Sequence, residues 1–257
     1  MVRLRDKVAA SLGGEPVTVN LIVTRAVDGL QRLERLLLPP RCLLCGAGAA
    51  HAGLCAECRA EWPHNTCCCA RCAEPLARPV ALCGRCLRHA PPWDTAWAPF
   101  RYAWPLDALE ARFKFGQNLA AGRTLATQWA AQSPPTPLPQ ALLPVPLHVA
   151  RLRRRGYNQA LELARALGRA LEIPVHAQAL RRTRATAAQT DLDRIARRRN
   201  VRGAFALTPG QNLPAHVAVL DDVLTTGATL AECTRVLKRA GVARVDAWAL
   251  ARAPVGR

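Results

Sequence analysis

The sequence predicts an α/β fold, a parallel sheet with flanking helices, preceded by a small cysteine-rich module. The first observation is a short apolar run, Val217–Leu220, which lacks helical periodicity and is typical of a buried parallel strand. A polar turn and an amphipathic helix that ends at Gly241 follow it. The second observation is a similar unit, in which an apolar segment at 141–147 precedes a helix that reaches Leu171. The third is a cluster of Cys-x-x-Cys pairs, which hold eight of the eleven cysteines.

The composition divides the chain into three regions. Residues 1–40 form an N-terminal extension, in which 21–38 have the periodicity of an amphipathic helix that two prolines stop. Residues 41–92 form the cysteine-rich module, and residues 93–257 form the α/β domain. Apolar stretches are too short to cross a membrane and charges interrupt the first thirty positions, so neither a transmembrane segment nor an export signal is predicted. A cytoplasmic protein is expected, where paired thiols bind metal more often than they form disulfides.

The cysteine-rich module is predicted to bind two structural zinc ions. Each Cys-x-x-Cys knuckle directs two thiolates at one ion, and two knuckles complete a tetrahedral shell of four sulfurs, which zinc favours. Because the protein fills every position, such a site stabilises the fold and does not catalyse. Sequential and interleaved pairing of the knuckles both fit the spacing, and Cys67 and Cys68 are left over. The eight predicted ligands are Cys42, Cys45, Cys55, Cys58, Cys69, Cys72, Cys83 and Cys86.

Five of the twelve aromatic residues lie at 93–104, directly after the module. Core packing is the preferred interpretation, and stacking against the bases of single-stranded nucleic acid is the alternative. This segment is predicted to contain strand structure and to lead into two helices, at 106–115 and 119–129, before a proline-rich loop at 133–140. Lys114 is the basic residue of interest here, since a phenylalanine flanks it on each side.

An arginine-rich loop is predicted between the strand at 141–147 and the helix that follows. Arginine forks hold phosphate oxygens in pairs, so this loop, which contains Arg151, Arg155 and Gly156, suits a pyrophosphate group. The alternative is a basic loop that is simply solvated.

Positive charge is concentrated in the same part of the chain. The formal net charge is +18, and between Arg151 and Arg202 fourteen arginines face four acidic residues. Such an excess suggests phosphorylated ligands or nucleic acid, whereas a compositional bias would explain the total charge but not its clustering. Residues 181–202 are too polar for a core and are interpreted as a lid over a phosphate site. Two further strands are predicted, around 203–207 and at 242–250.

The chemistry of the central strand–turn–helix unit is that of a sugar phosphate site. The turn and the helix N-terminus form an anion cradle, in which backbone N–H groups and threonine hydroxyls donate hydrogen bonds. Asp221 and Asp222 would repel a bare phosphate, so they require ribose hydroxyls or a bound Mg²⁺ as partners. Neither a Walker loop nor a Rossmann glycine pattern is present in the stretch. The cradle residues are Thr225, Thr226, Gly227, Ala228 and Thr229.

The central stretch closely resembles the phosphoribosyl pyrophosphate (PRPP) motif of type I phosphoribosyltransferases. Over most of the chain the motifs are similar to those of the ComF family. They are Pro-Pro-x-Cys-x-x-Cys, further knuckles, Phe-Lys-Phe-Gly, Arg-Arg-Gly-Tyr-Asn-Gln, a segment from Gln-Thr-x-Leu to Gly-Ala-Phe, and Asp-Asp-Val-x-Thr-Thr-Gly. The resemblance implies a type I phosphoribosyltransferase fold behind a zinc module, and a role in DNA uptake during natural competence.

The resemblance also implies roles for individual residues. Asp221 and Asp222 would hold the ribose hydroxyls, and in an enzyme they would be the catalytic pair. The cradle would hold the 5′-phosphate of PRPP, which binds with Mg²⁺, and the arginine-rich loop would face its pyrophosphate. The residues that match the family's basic loop are Gln189, Arg197 and Asn200.

Two functions of different classes fit these observations. In the first, the protein binds PRPP with Mg²⁺ and handles single-stranded DNA during transformation, with other DNA-uptake proteins as partners. In the second, it is an enzyme that transfers phosphoribose to a nitrogenous acceptor in nucleotide metabolism or salvage. No stretch of the sequence identifies that acceptor. Consumption of PRPP with release of pyrophosphate would discriminate between the two.

Overall fold

The structure is a computed structural model that describes residues 41–48, 52–184 and 201–254. The N-terminal extension, its expected helix at 21–38 and most of the expected lid lie outside these residues.

The cysteine-rich module contains two short helices, and each begins at a cysteine knuckle. Helix α1 (Ala56–Ala60) follows Cys55, whose sulfur accepts a hydrogen bond from the backbone N–H of Cys58 at 3.4 Å. Helix α2 (Gly84–Arg88) likewise has a cysteine, Cys83, at its N-cap, although the sulfur of Cys83 accepts no capping hydrogen bond. In both knuckles the first cysteine is therefore the N-cap residue, and the second cysteine lies in the first turn of the helix.

The α/β domain contains seven strands and five helices within the described residues. In chain order they are β1 (Ala96–Trp97), β2 (Phe100–Arg101), α3 (Leu106–Phe115), α4 (Leu119–Ala130), β3 (Ala141–Pro144), α5 (Val149–Arg155), α6 (Gln159–Leu171), β4 (Leu180–Arg182), β5 (Phe205–Leu207), β6 (His216–Leu224), α7 (Ala228–Arg239) and β7 (Arg244–Arg252).

The main sheet is parallel, as the sequence predicts. Its strand order is β1-β7-β6-β3, and β2 also pairs with β7. The register places Val217 opposite both Val245 and Ala141, so β6 is the central strand. Helix α6 packs on β3 and β6, and helix α7 packs on β6 and β7. Strands β4 and β5 form a separate antiparallel pair. The predicted fold class is confirmed, since a parallel sheet with flanking helices follows the cysteine-rich module.

Two local predictions differ from the structure. The sequence places the end of the central strand at Leu220, but β6 continues through both aspartates to Leu224, because β7 offers it backbone partners as far as Arg252. The arginine-rich segment, predicted as a loop, forms helix α5. The ring of His148 caps this helix by accepting from the N–H of Ala150 at 3.3 Å, and a run of residues with good helix propensity follows.

Four of the five aromatic residues at 93–104 lie in the core or pack against it, which confirms the packing interpretation for them, whereas Trp104 is exposed. Trp97 lies between Trp129 and Trp248, at ring-centroid distances of 5.7 and 4.7 Å. Phe100 is fully buried and meets the ring of Trp62 edge-on at 5.7 Å, so the cysteine-rich module and the sheet share one core. Across the described part of the chain, no helix has the length and apolar character needed to span a bilayer.

Candidate functional site

The paired aspartates lie near the carboxyl end of β6, the edge where ligands of open parallel sheets bind. Asp222 is buried, and its carboxylate accepts a hydrogen bond from the N–H of Val223 at 2.7 Å. Asp221 is half-buried, and its carboxylate accepts from the N–H of Asp222 at 2.9 Å. Both side chains are therefore held by the strand's own backbone.

The turn after β6 leads directly into the N-terminus of α7. Gly227 has a φ of 74°, and a Cβ built on it would lie 2.6 Å from the ring of Trp93, so no larger residue fits there. The hydroxyl of Thr226 accepts from the N–H of Ala228 at 3.3 Å. The predicted cradle thus lies at the start of a three-turn helix, where free N–H groups and the helix dipole favour an anion.

Lys114 joins the aspartates to helix α3. Its ammonium group lies 3.0 Å from a carboxylate oxygen of Asp222 and 2.8 Å from one of Glu110. Glu110 is buried, with 1% of its surface exposed, and its other oxygen accepts from the hydroxyl of Tyr102 at 3.2 Å. A second tyrosine, Tyr157, donates to the carbonyl of Phe113 and stacks on its ring. The sequence drew attention to Lys114, but it carried no signal for Glu110, whose partners come from separate segments.

The two aspartates differ in their protonation. Burial raises the pKa of Asp221 to about 8, and the charge of Asp222 acts in the same direction. Burial also acts to raise the pKa of Asp222, but the charge and hydrogen bond of Lys114 outweigh it, and this pKa lies below its ordinary value. At neutral pH the pair therefore holds one carboxylate and one carboxyl that is largely protonated.

The predicted pyrophosphate-facing residues lie on helix α5 and at its end. Gly156 ends the helix with a φ of 80°. Arg155 lies over the ring of Phe115 at 5.4 Å and donates to the side chain of Gln159 at 3.2 Å, and its charge helps to lower the pKa of Asp222. Within the described residues, the Nε of Arg155 and the Nε2 of Gln159 are buried donors without a hydrogen-bond partner.

Arg182 is a member of the site that sequence reasoning missed. It lies on β4, with its guanidinium 5.2 Å above the ring of Phe205. Burial and the nearby charge of Arg151 lower its pKa, whereas Asp221 acts to raise it. The same residue therefore faces both the arginine-rich helix and the acidic pair. Its only sequence signal was membership of an arginine-rich segment. The predicted basic-loop residues Gln189, Arg197 and Asn200 lie outside the described residues.

The eight predicted zinc ligands form two tetrads in sequential pairing. The first contains the four cysteines from Cys42 to Cys58, and the second the four from Cys69 to Cys86. In each tetrad the sulfur atoms all lie within 4.8 Å of one another, a spacing that suits four thiolates around one zinc ion. The structure thus resolves the pairing that the spacing left open. Cys67 and Cys68 belong to neither tetrad.

Arg252, at the end of β7, connects the second tetrad to the turn after β6. It is 1% exposed, and its guanidinium donates to the carbonyls of Cys72 and Leu224 at 3.1 and 2.6 Å. It also donates to the carbonyl of Thr225 and forms an ion pair with Glu74. A buried arginine needs several acceptors, and here these come from the cysteine module and from the turn.

The fold and the site define a zinc-ribbon protein with a parallel α/β domain that carries paired acids and an anion cradle. The model of the double zinc ribbon domain matches residues 33–87. Competence protein F of Haemophilus influenzae is 37% identical over 226 residues, which cover 83% of this chain and 97% of that protein. The DNA utilization protein YhgH of Escherichia coli (strain K12) is 36% identical over 228 residues, which cover 84% and 99%. The chain belongs to the competence protein F (ComF) family.

Two solved structures match part of the chain. The glutamine phosphoribosylpyrophosphate amidotransferase from B. subtilis matches with a TM-score of 0.34 and 18% identity, over 52% of this chain and 28% of that one. The adenine phosphoribosyltransferase from Leishmania donovani matches with a TM-score of 0.28 and 18% identity, over 50% and 48%.

Proposed function

We propose that the protein binds PRPP together with Mg²⁺ at the carboxyl end of β6. The observation that supports this most strongly is the arrangement of opposite charges around the turn. Asp221 and Asp222 precede it, and Arg155 and Arg182 act electrostatically on these acids from two other elements. PRPP needs both signs, since its ribose hydroxyls donate to carboxylates and its phosphates accept from arginines.

The residues present fit a magnesium ion with a phosphorylated ligand. Carboxylate oxygens and phosphate oxygens are the ligands that Mg²⁺ prefers, and Asp221 and Asp222 would supply the protein's share. The ion would neutralise charge on the pyrophosphate. The raised pKa of Asp221 supports this assignment, because a buried carboxyl group of this kind favours ionisation once a cation or hydroxyl donors arrive.

The chain's own residues would each perform a separate part of the binding. The cradle would hold the 5′-phosphate through backbone N–H groups, and the unpaired Nε of Arg155 and Nε2 of Gln159 would donate to the pyrophosphate. Lys114 keeps Asp222 ionised and in place.

We further propose that PRPP binding serves DNA uptake in the cytoplasm. Support comes from the relatives' names, competence protein F and DNA utilization protein, and from the basic character of the chain. Single-stranded DNA is the nucleic acid that such a protein would meet, and its phosphates would contact the arginine-rich surface. Transfer of phosphoribose to an acceptor is the alternative, which release of pyrophosphate from PRPP in the presence of candidate acceptors would detect.

Calorimetric titration with PRPP and Mg²⁺ tests the proposed site. Changing Asp221→Asn and Asp222→Asn together retains size and polarity but removes both charges. A charged hydrogen bond contributes roughly 1.5–3 kcal/mol, so we expect affinity to fall on the order of 100-fold. The matched control changes Glu162→Gln on helix α6 and Glu172→Gln at the C-cap of that helix, and its affinity should equal that of wild type. Equal binding by the double Asn variant would show that the site is wrongly placed.

A further inference from the structure

A cavity of 720 Å³ lies between the cysteine-rich module and helix α7. Its lining includes Leu224 and the turn residues Thr226, Gly227 and Ala228, but neither of the paired aspartates, nor Lys114, nor Arg155. The cavity is therefore distinct from the proposed PRPP site, although the two share the turn. Its volume falls within the range of pockets that enclose a small ligand.

Five arginines from four segments line this cavity: Arg85, Arg202, Arg235, Arg239 and Arg252. Glu232 is the acidic residue of the lining, and its carboxylate already accepts from the N–H of Gly203 at 2.8 Å and from Arg235 at 2.9 Å.

Not every arginine of the cavity lining has an acidic partner among the described residues. Glu74 and the sulfur of Cys72 engage Arg85, and Glu74 also pairs with Arg252. The contacts among the described residues include none for the side chains of Arg202 and Arg239, which are both exposed. The cavity thus presents an excess of guanidinium groups, which suits phosphate oxygens.

Part of the cavity lining is apolar. Pro91, Pro92 and Trp93 line it, together with Val201 and Ala231. Trp93 is fixed, because its ring packs on Gly227 and its indole N–H donates to the carbonyl of Arg71 at 2.7 Å. Such a lining suits a planar ring, whereas a bare phosphate would gain nothing from it.

We propose that this cavity is a binding site for a nucleoside phosphate, separate from the PRPP site. The phosphate lies against Arg202, Arg239 and the outer part of Arg235. The base and sugar lie against the proline–tryptophan lining. The inference rests on the cavity, its arginines and its apolar lining, and it does not require that PRPP bind at Asp221 and Asp222.

Calorimetry on the full-length, zinc-loaded protein in saturating PRPP and Mg²⁺ tests the proposal, with AMP as the probe. We expect saturable binding of AMP, and binding at least tenfold weaker for inorganic phosphate or for adenosine, each of which lacks half of the contacts. Changing Arg202→Ala and Arg239→Ala together should weaken AMP binding at least tenfold. The matched control, Arg165→Ala with Arg169→Ala on helix α6, removes the same charge from another surface and should change it less than twofold.

A second variant blocks the cavity without changing charge. Ala90 is exposed and lines it, so Ala90→Trp should also abolish AMP binding. The proposal is wrong if AMP does not bind, if phosphate binds as tightly as AMP, or if only an oligodeoxynucleotide binds. Repeating the AMP titration in the Asp221→Asn, Asp222→Asn variant without PRPP separates the two sites. Retained AMP affinity there supports the proposal even if PRPP fails to bind to wild type, and lost affinity contradicts it.

Discussion

At the scale of single residues, the site depends on how burial distributes charge between two adjacent carboxyl groups. Asp222 has Lys114 as a partner and stays ionised, whereas Asp221 is left with a raised pKa. The groups that act on Asp221 are Asp222 on the same strand, Lys114 on α3 and Arg182 on β4, and Asp221 in turn helps to raise the pKa of Cys233 on α7. A ligand that needs both groups as carboxylates must therefore displace the proton of Asp221 when it binds.

This predicts that the affinity for PRPP and Mg²⁺ increases between pH 6 and about 8 and then levels off. The folded pKa of Asp221 is about 8, so below that value binding releases a proton and is weakened by acid. The increase should be at most tenfold per pH unit. Calorimetry in buffers of different ionisation enthalpy measures the released proton directly. Asp221→Asn should retain only the pH dependence that comes from the ligand's phosphates, and an unchanged profile in that variant would contradict the assignment.

The same pKa carries a consequence for stability. Since the folded pKa lies above the ordinary value of 3.8, the folded state binds more protons than the unfolded state between these values. The contribution of Asp221 to the free energy of unfolding is therefore lost as the pH increases through about 8. Denaturant titrations of the ligand-free protein at pH 6 and 9 should show this loss in wild type and not in Asp221→Asn.

At the scale of elements, helix α5 is the part of the site that the sequence described incorrectly. The sequence predicted Arg151 and Arg155 as candidate site residues on a loop, whereas the structure places them on a helix. On a helix they lie one turn apart and share a face, and the charge of Arg155 contributes to lowering the pKa of Arg151. Arg155 also has a buried Nε donor that lacks a hydrogen-bond partner among the described residues.

We therefore predict that Arg155→Ala weakens binding of PRPP about tenfold or more and leaves binding of ribose 5-phosphate nearly unchanged. The reason is that only PRPP carries a pyrophosphate for this side chain to hold. The two ligands are compared by calorimetry in the same buffer, with Arg165→Ala as the control for lost surface charge. Equal losses for both ligands would place Arg155 at the 5′-phosphate or in a purely structural role.

Sequence reasoning succeeded where a function depends on consecutive residues and failed where it depends on separate segments. The strand, acids and turn at 217–229 and the cysteine knuckles are local patterns, and both were located from the sequence. Glu110, Arg182 and Arg252 become part of the site because α3, β4 and β7 converge on β6, which no local spacing records. The sequence left the pairing of the knuckles open for the same reason, since sequential and interleaved pairing are compatible with the same spacing.

At the scale of the whole molecule, the two cysteine tetrads have different neighbours. Near the first, the carbonyl of Ala52 accepts from Thr124 on helix α4 at 2.8 Å. The second contacts the turn after β6 through Arg252, which donates to the carbonyls of Cys72 and Leu224. The second zinc site is therefore a support for the proposed PRPP site, and the first is a support for the core.

This predicts different effects for two matched cysteine variants. Cys45→Ser and Cys72→Ser each open one shell and should lower the melting temperature, because zinc binding contributes to folding. Only Cys72→Ser should also weaken PRPP binding, about tenfold, at temperatures where both variants remain folded. Glu74→Gln, which leaves every zinc ligand in place but removes the ion pair with Arg252, should weaken binding in the same direction. Equal PRPP affinity in all three variants and wild type would rule out this coupling.

Because β1 and β2 pair with β7, the main sheet cannot be completed until β7 has been synthesised. The cysteine-rich module and the first strands leave the ribosome well before β7, the strand that they pair with and the one that supplies Arg252. Until then β1 and β2 lack the strand that they pair with, Trp97 lacks Trp248, and the edge of the nascent sheet is exposed. The eight cysteines leave the ribosome first, so the module can acquire zinc while the sheet is still unformed. We therefore expect the yield of folded chains to depend on metal supply during translation as well as on metal supply to the finished protein.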